Sequence, residues 1–119
     1  MGVKLAQNNQ ERIFTRWQQQ VSGWFASPHE LEEKAGVFII ATQSSSEPLL
    51  LEVGESDNVR FRVLNHDNRI FWRRNALAGI LYAAIYTDES DSAFLSEFSR
   101  QNLVHHICKL EQPALKSAL

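Results

Sequence analysis

The sequence predicts a small α+β domain, and three observations carry that prediction. The chain has 119 residues, of which 44% are hydrophobic and 22% charged, an ordinary globular mixture with enough apolar residues for one core and too few for two. Apolar residues recur at three- and four-residue spacing near both ends, and form short continuous blocks in the middle. Turn formers separate these runs, which gives the order helix, hairpin, helix, strand, helix.

Each element follows from local chemistry. Residues 1–10 are polar and read as an N-terminal arm. From Glu11 to Phe25 the positions Ile13, Trp17, Val21 and Trp24 share one helical face, with Phe14 and Phe25 beside them. That pattern predicts an amphipathic helix ended by Ser27-Pro28, with Trp17 and Trp24 as core anchors. Pro28 followed by Glu30, Glu32 and Glu33 suits one more short helical turn. Gly36–Thr42 reads as a buried strand, residues 43–48 as a polar connection, and Leu49–Val53 as a second strand ending at Gly54. Their closeness predicts an antiparallel hairpin. Ser56 or Asp57 caps a helix running to about Asn65, with Val59, Val63 and Leu64 inward. Residues 66–78 are rich in Arg and Asn and receive no regular element. Ile80–Tyr86 is a continuous apolar block, predicting a strand in the middle of the sheet. Ser92–Ile107 should be helical, with Phe94, Leu95, Phe98 and Leu103 on the packing side. Pro113 disfavours further helix, and a tail follows.

Composition excludes several classes. The longest apolar runs, Val37–Ala41 and Ile80–Tyr86, are far too short to cross a bilayer. The N-terminus turns polar before a signal-peptide core could form. Cys108 is the only cysteine, which excludes an internal disulfide framework and an all-cysteine zinc cluster. The expectation is a soluble, cytoplasmic domain. The formal net charge is −2, yet Arg60, Arg62, Arg69, Arg73 and Arg74, five of the twelve basic residues, fall within one short stretch. Screening confines each exposed charge to its neighbourhood, so a local arginine cluster can bind phosphate on a near-neutral protein. The other reading of that stretch is a solvated face.

No Gly-rich phosphate-binding loop of the dinucleotide or P-loop type occurs, nor a zinc-protease His pair. His105 and His106 are adjacent, hence about 100° apart on a helix and poorly placed to share a metal. Cys108 reads as a small buried apolar residue without a histidine beside it for nucleophilic chemistry. The informative segment runs from Leu51 to His66. A strand ends at Gly54, which lets backbone approach a ligand closely. Arg62 and His66 then lie four apart on one helical face. A guanidinium there binds phosphate oxygens with a planar fork. Glu97, in the next long helix, is the kind of hard oxygen donor that Mg²⁺ uses.

This arrangement resembles the GIY-YIG nuclease domain. Gly36-Val37-Phe38 stands where the GIY triplet would be and Glu52-Val53-Gly54 where YIG would be. Arg62, eight residues after Gly54, matches the family's catalytic arginine, and His66 a histidine often found one turn later. Phe71-Trp72-Arg73-Arg74, a hydrophobic strand and a helix carrying Glu97 continue the order. The resemblance spans residues 35–112, leaving 1–34 as arm and N-terminal helix and 113–119 as tail. It implies a three-stranded antiparallel sheet flanked by helices, and hydrolysis of DNA phosphodiesters with one Mg²⁺ (or Mn²⁺). It also implies that Arg62 stabilises charge on the scissile phosphate and that Glu97 holds the metal. Both signature tyrosines are replaced, by Phe38 and Glu52. Phe38 has no hydroxyl, whereas Glu52, or His66, has the chemistry to activate water; Glu52 otherwise reads as an exposed strand residue. Gly54, Arg60, Arg73 and Arg74 are the expected substrate contacts. Arg62 alternatively pairs with Glu55 or Asp57, Glu97 is alternatively a solvated helix residue, and His66 a charge partner for the helix C-terminus. The rival function is a catalytically inactive module of this fold that binds nucleic acid or a protein. The N-terminal helix is the expected surface for a homodimer or protein partner.

Overall fold

A computed structural model describes residues 21–43, 48–76, 78–87 and 96–114. It shows an α+β fold: a three-stranded antiparallel sheet with helices on both faces. The strands are β1 (Gly36–Thr42), β2 (Leu49–Ser56) and β3 (Ile80–Tyr86), in the order β2-β1-β3. Helices α1 (Val59–Leu64) and α2 (Arg69–Asn75) lie between β2 and β3 in sequence, and α3 (Glu97–Glu111) follows β3. A 3₁₀ turn at Pro28–Glu30 precedes β1, capped by the Ser27 hydroxyl accepting from the His29 amide as Pro28 and Glu30 foretell. Among the described residues no helix is long and apolar enough to cross a membrane.

The central strand is β1, not β3. Gly36 runs opposite both Ser56 and Tyr86, and Ile39 opposite both Val53 and Ala83. β3 is continuously apolar because both of its faces are covered, and face coverage, unlike position in the sheet, is what such a run reports. Val37, Ile39, Ala83 and Ile85 meet Leu103, Val104 and Ile107 of α3 on one side. Phe38, Ile40 and Ala84 meet Leu31, Val59, Val63 and Trp72 on the other. The hairpin register shifts between Ile40, opposite Glu52, and Ala41, opposite Leu50, so Leu51 is the extra residue of a β-bulge. Leu51 joins the α1–α2 side of the core. Glu52 is delivered to the same side, beside Trp72.

Two expectations at the ends need correction. Most of the predicted 11–25 helix lies outside the described residues, Trp17 included. Its described end is not helical: Gly23 has φ +100°, and Phe25 exchanges backbone hydrogen bonds with Tyr82 at 2.8 Å in both directions. A glycine in that conformation is incompatible with helix, and the amides of Ser22 and Phe25 donate instead to the outer edge of β3. Trp24 is 37% exposed and belongs to neither core cluster among the described residues. In α3, Phe94 and Leu95 lie outside the described residues. Leu103 is buried as expected, but Phe98 is 71% exposed, because the buried stripe of this helix runs through Arg100, Leu103, Val104 and Ile107. The helix ends at Gln112 in the left-handed region (φ 49°), and the Ala114 amide then donates to Leu50 O at 3.1 Å.

Candidate functional site

On the α1–α2 side a polar cluster is built into the core. Glu52 is 7% exposed, which overturns its reading as a solvated strand residue. Its Oε1 accepts from Trp72 Nε1 at 2.8 Å and from Asn68 Nδ2 at 3.0 Å, and its Oε2 lies 3.4 Å from His66 Nε2. Asn68 and Trp72 are four apart on α2, so one helical face brings both donors to the carboxylate. Asn68 is the N-cap of α2 yet makes no side-chain cap bond; its Nδ2 donates to Glu52.

His66 is 6% exposed and held on all sides. Its Nδ1 accepts the Asn68 backbone amide at 3.0 Å, which places the neutral ring's proton on Nε2, facing Glu52. Phe38 meets the ring edge-on at 5.6 Å, and Trp72 lies against it at 4.9 Å. Burial pushes the imidazole pKa below its ordinary value; Arg62 and Arg69 act in the same direction, against Glu52 and Asp67. Neither nitrogen keeps a lone pair for water. The Phe38 ring also fills the space above Gly54: a Cβ added there would meet its Cζ, with Cε2 only 2.9 Å away. The close approach that Gly54 permits is therefore to Phe38 of the paired strand, not to a ligand.

The arginines divide into two groups. Arg60 is structural, its Nε donating to Leu31 O at 2.7 Å and its terminal nitrogen reaching Glu33 at 3.2 Å. Arg100, 3% exposed, holds Glu55 at 2.9 Å and Asp57 at 2.7 Å, taking the two acids that were alternative partners for Arg62. Arg62, Arg73 and Arg74 are exposed and, among the described residues, have no hydrogen-bond or ion-pair partner. Arg69 is exposed and, among the described residues, spends only its Nε, on His66 O at 3.1 Å. All four are carried by α1 and α2, so they occupy one side of the sheet. The amides that open α1 are taken by backbone carbonyls, Val59 N by Lys34 O and Arg60 N by Glu32 O, so the cationic character of this side comes from side chains.

Glu97 opens α3, the helix on the opposite side of the sheet. It is exposed and, among the described residues, accepts only a 3.4 Å contact from Gln101. No hydrogen bond or ion pair joins it to Glu52, His66 or Arg62. Among the described residues no group of three or more His, Cys, Asp or Glu side chains is placed to hold a metal. A lone carboxylate with spare acceptor capacity is compatible with Mg²⁺, which keeps most of its waters, so Glu97 is the residue that would hold one. Sequence reasoning placed Arg69 in the arginine cluster but missed Asn68 and the role of Trp72. The signal was present in the four-residue spacings Asn68–Trp72 and Arg69–Arg73, which place each pair on one face of a helix. Comparisons with family models, with curated proteins and with solved structures found no match.

Proposed function

We propose that this chain is a divergent GIY-YIG-like domain that binds the phosphate backbone of DNA through Arg62, Arg69, Arg73 and Arg74. The observation that carries the reading is the sorting of its polar groups. Glu52 and His66, the residues with the chemistry to activate water, are buried and spent on each other, Trp72 and Asn68. The four arginines beside them face solvent with donors to spare. Phosphate contacts of this kind supply affinity and orientation with little sequence information. A single cysteine and no disulfide suit a reducing, cytoplasmic setting. The expected homodimer or protein partner surface on the N-terminal helix lies outside the described residues.

The test is binding of a short duplex at several salt concentrations. Arg62→Ala and Arg73→Ala should each weaken binding alike across sequences and lower the log–log salt slope by about one. Wild type that binds no DNA at low salt, or variants with unchanged slopes, would sink the proposal.

A second reading, hydrolysis of DNA, is favoured by one observation: the two residues the resemblance ties to phosphate and metal, Arg62 and Glu97, are both exposed and uncommitted to internal ion pairs. The geometry stands against it: Glu97 on α3 and Arg62 on α1 lie on opposite sides of the sheet, so an ion held at Glu97 and the Arg62 guanidinium would not meet one phosphate. Nicking of supercoiled plasmid with Mg²⁺ or Mn²⁺ that is lost in both Arg62→Ala and Glu97→Ala would establish this reading. Absence of nicking by folded wild type would leave the binding module.

A further inference from the structure

A groove opens beside the arginine side, between the 3₁₀ turn at Pro28, the end of α1, helix α2 and β3. It offers about 160 Å³ of room. Leu64, Trp72 and Ile80 supply apolar walls, and Arg69 and Arg73 stand on α2 at its rim. Tyr82 adds a half-buried ring whose hydroxyl has no hydrogen-bond partner among the described residues. The neighbouring Tyr86 differs, since its hydroxyl oxygen accepts the Glu32 amide at 2.7 Å.

These features specify an occupant. The size matches a single aromatic ring, since about 150 Å³ of apolar space accommodates benzene. The walls favour a flat apolar body, and the Tyr82 hydroxyl can pair with one polar group on its edge. Arg69 and Arg73 lie one helical turn apart, about 6 Å along the axis, and both have donors free for anions along that rim of the groove. An aromatic ring carried beside successive anions is a nucleotide within a strand. We infer that the groove receives one unpaired pyrimidine base, with its neighbouring phosphates on Arg69 and Arg73. The inference rests on the DNA-binding reading and narrows it to DNA carrying an unpaired nucleotide, because extruding a base costs least where it has no partner. Stacking in such a pocket contributes enough per base to change affinity about tenfold.

Anisotropy titrations at one low salt concentration test this with three short duplexes: fully paired, carrying one bulged cytidine, and carrying one bulged adenosine. Wild type should bind the bulged-cytidine duplex about tenfold more tightly than the paired one, with a smaller gain for adenosine. Leu64→Trp fills the groove and leaves both arginines, so it should erase the preference and keep paired-duplex affinity. Tyr82→Phe preserves volume and should reduce the preference several-fold, which keeps the test decisive if the tryptophan variant misfolds. Equal affinity of wild type for all three duplexes would overturn the groove inference and leave the arginine-face reading standing. Binding to none of them would overturn both.

Discussion

Replacing Glu52 asks directly whether this side of the sheet is scaffold or chemistry. Three donors converge on its carboxylate: Trp72 Nε1 at 2.8 Å, Asn68 Nδ2 at 3.0 Å and His66 Nε2 at 3.4 Å. Glu52→Ala orphans all three. Asn68 is half-buried, so water can restore most of its bond, whereas Trp72 and His66 are 1% and 6% exposed and cannot be reached. An unsatisfied buried donor costs about 1–3 kcal/mol. Two of them give a loss of about 2–6 kcal/mol. That is a large share of the roughly 5–15 kcal/mol that stabilises an ordinary domain.

Glu52→Gln separates the contributions. Its carbonyl oxygen can still accept from Trp72 and Asn68, but its NH₂ then faces the Nε2 proton of His66. The ring cannot escape by changing tautomer, because Nδ1 already accepts the Asn68 amide. One donor–donor conflict remains, for about 1–3 kcal/mol. Urea unfolding followed by tryptophan fluorescence should therefore rank wild type above Gln above Ala, with an unchanged slope against urea. A loss below about 1 kcal/mol for Glu52→Ala would refute the reasoning. So would the opposite signature, stability kept or raised while plasmid nicking disappears, which is what a residue retained for catalysis shows.

Three further outcomes are expected. Gly54→Ala should cost about 1–3 kcal/mol by overpacking the Phe38 ring, and clearly less in a Phe38→Ala background; equal costs in a double-mutant cycle would show that the two sites do not touch. The lowered pKa of His66 means that the unfolded chain takes up its proton first as pH falls. His66 therefore contributes no pH dependence above about 6.5 and an increasing loss of stability below it; urea midpoints near pH 7 and pH 5 should differ less in His66→Gln than in wild type. Arg100→Met should destabilise by about 1–3 kcal/mol, less than a fully buried pair, because the Asp57 side chain is 90% exposed and rehydrates. Adding Glu55→Gln should recover part of that loss, and full additivity would deny the 2.9 Å pair its role.

What could be read from the chain was local. Strands 36–42 and 80–86 coincide with their apolar blocks, and Ser27-Pro28 with its turn. The helix through Val59 and Val63 was also legible, although its cap is Asn58, whose side chain accepts from Phe61 N. α2 was silent for a physical reason. Its apolar residues Ile70, Phe71 and Trp72 are consecutive, so they show no helical period, and only Trp72 is buried. The partners of Glu52 lie 14 to 20 positions further along the chain, a separation that only the tertiary fold resolves. The bulge at Leu51 and the central place of β1 likewise depend on strand pairing.

The buried carboxylate of Glu52 decides which polar groups this side of the sheet leaves exposed. A carboxylate on β2 beneath α2 needs donors, and the fold meets that need with Trp72, Asn68 and His66. This commits the strand-borne groups to the interior. The groups left for a ligand are carried by helices: Arg62 from α1, and Arg69, Arg73 and Arg74 from α2. The same bonds fix α2 against the sheet, because Asn68 and Trp72 are anchored on the side of the helix that meets Glu52 while Arg73 and Arg74 remain in water. Glu52 is then a positioning residue for the arginines. Loss of its anchor should blur the groove preference before it removes general DNA affinity, since long-range attraction to phosphate tolerates displacement and a fitted ring does not.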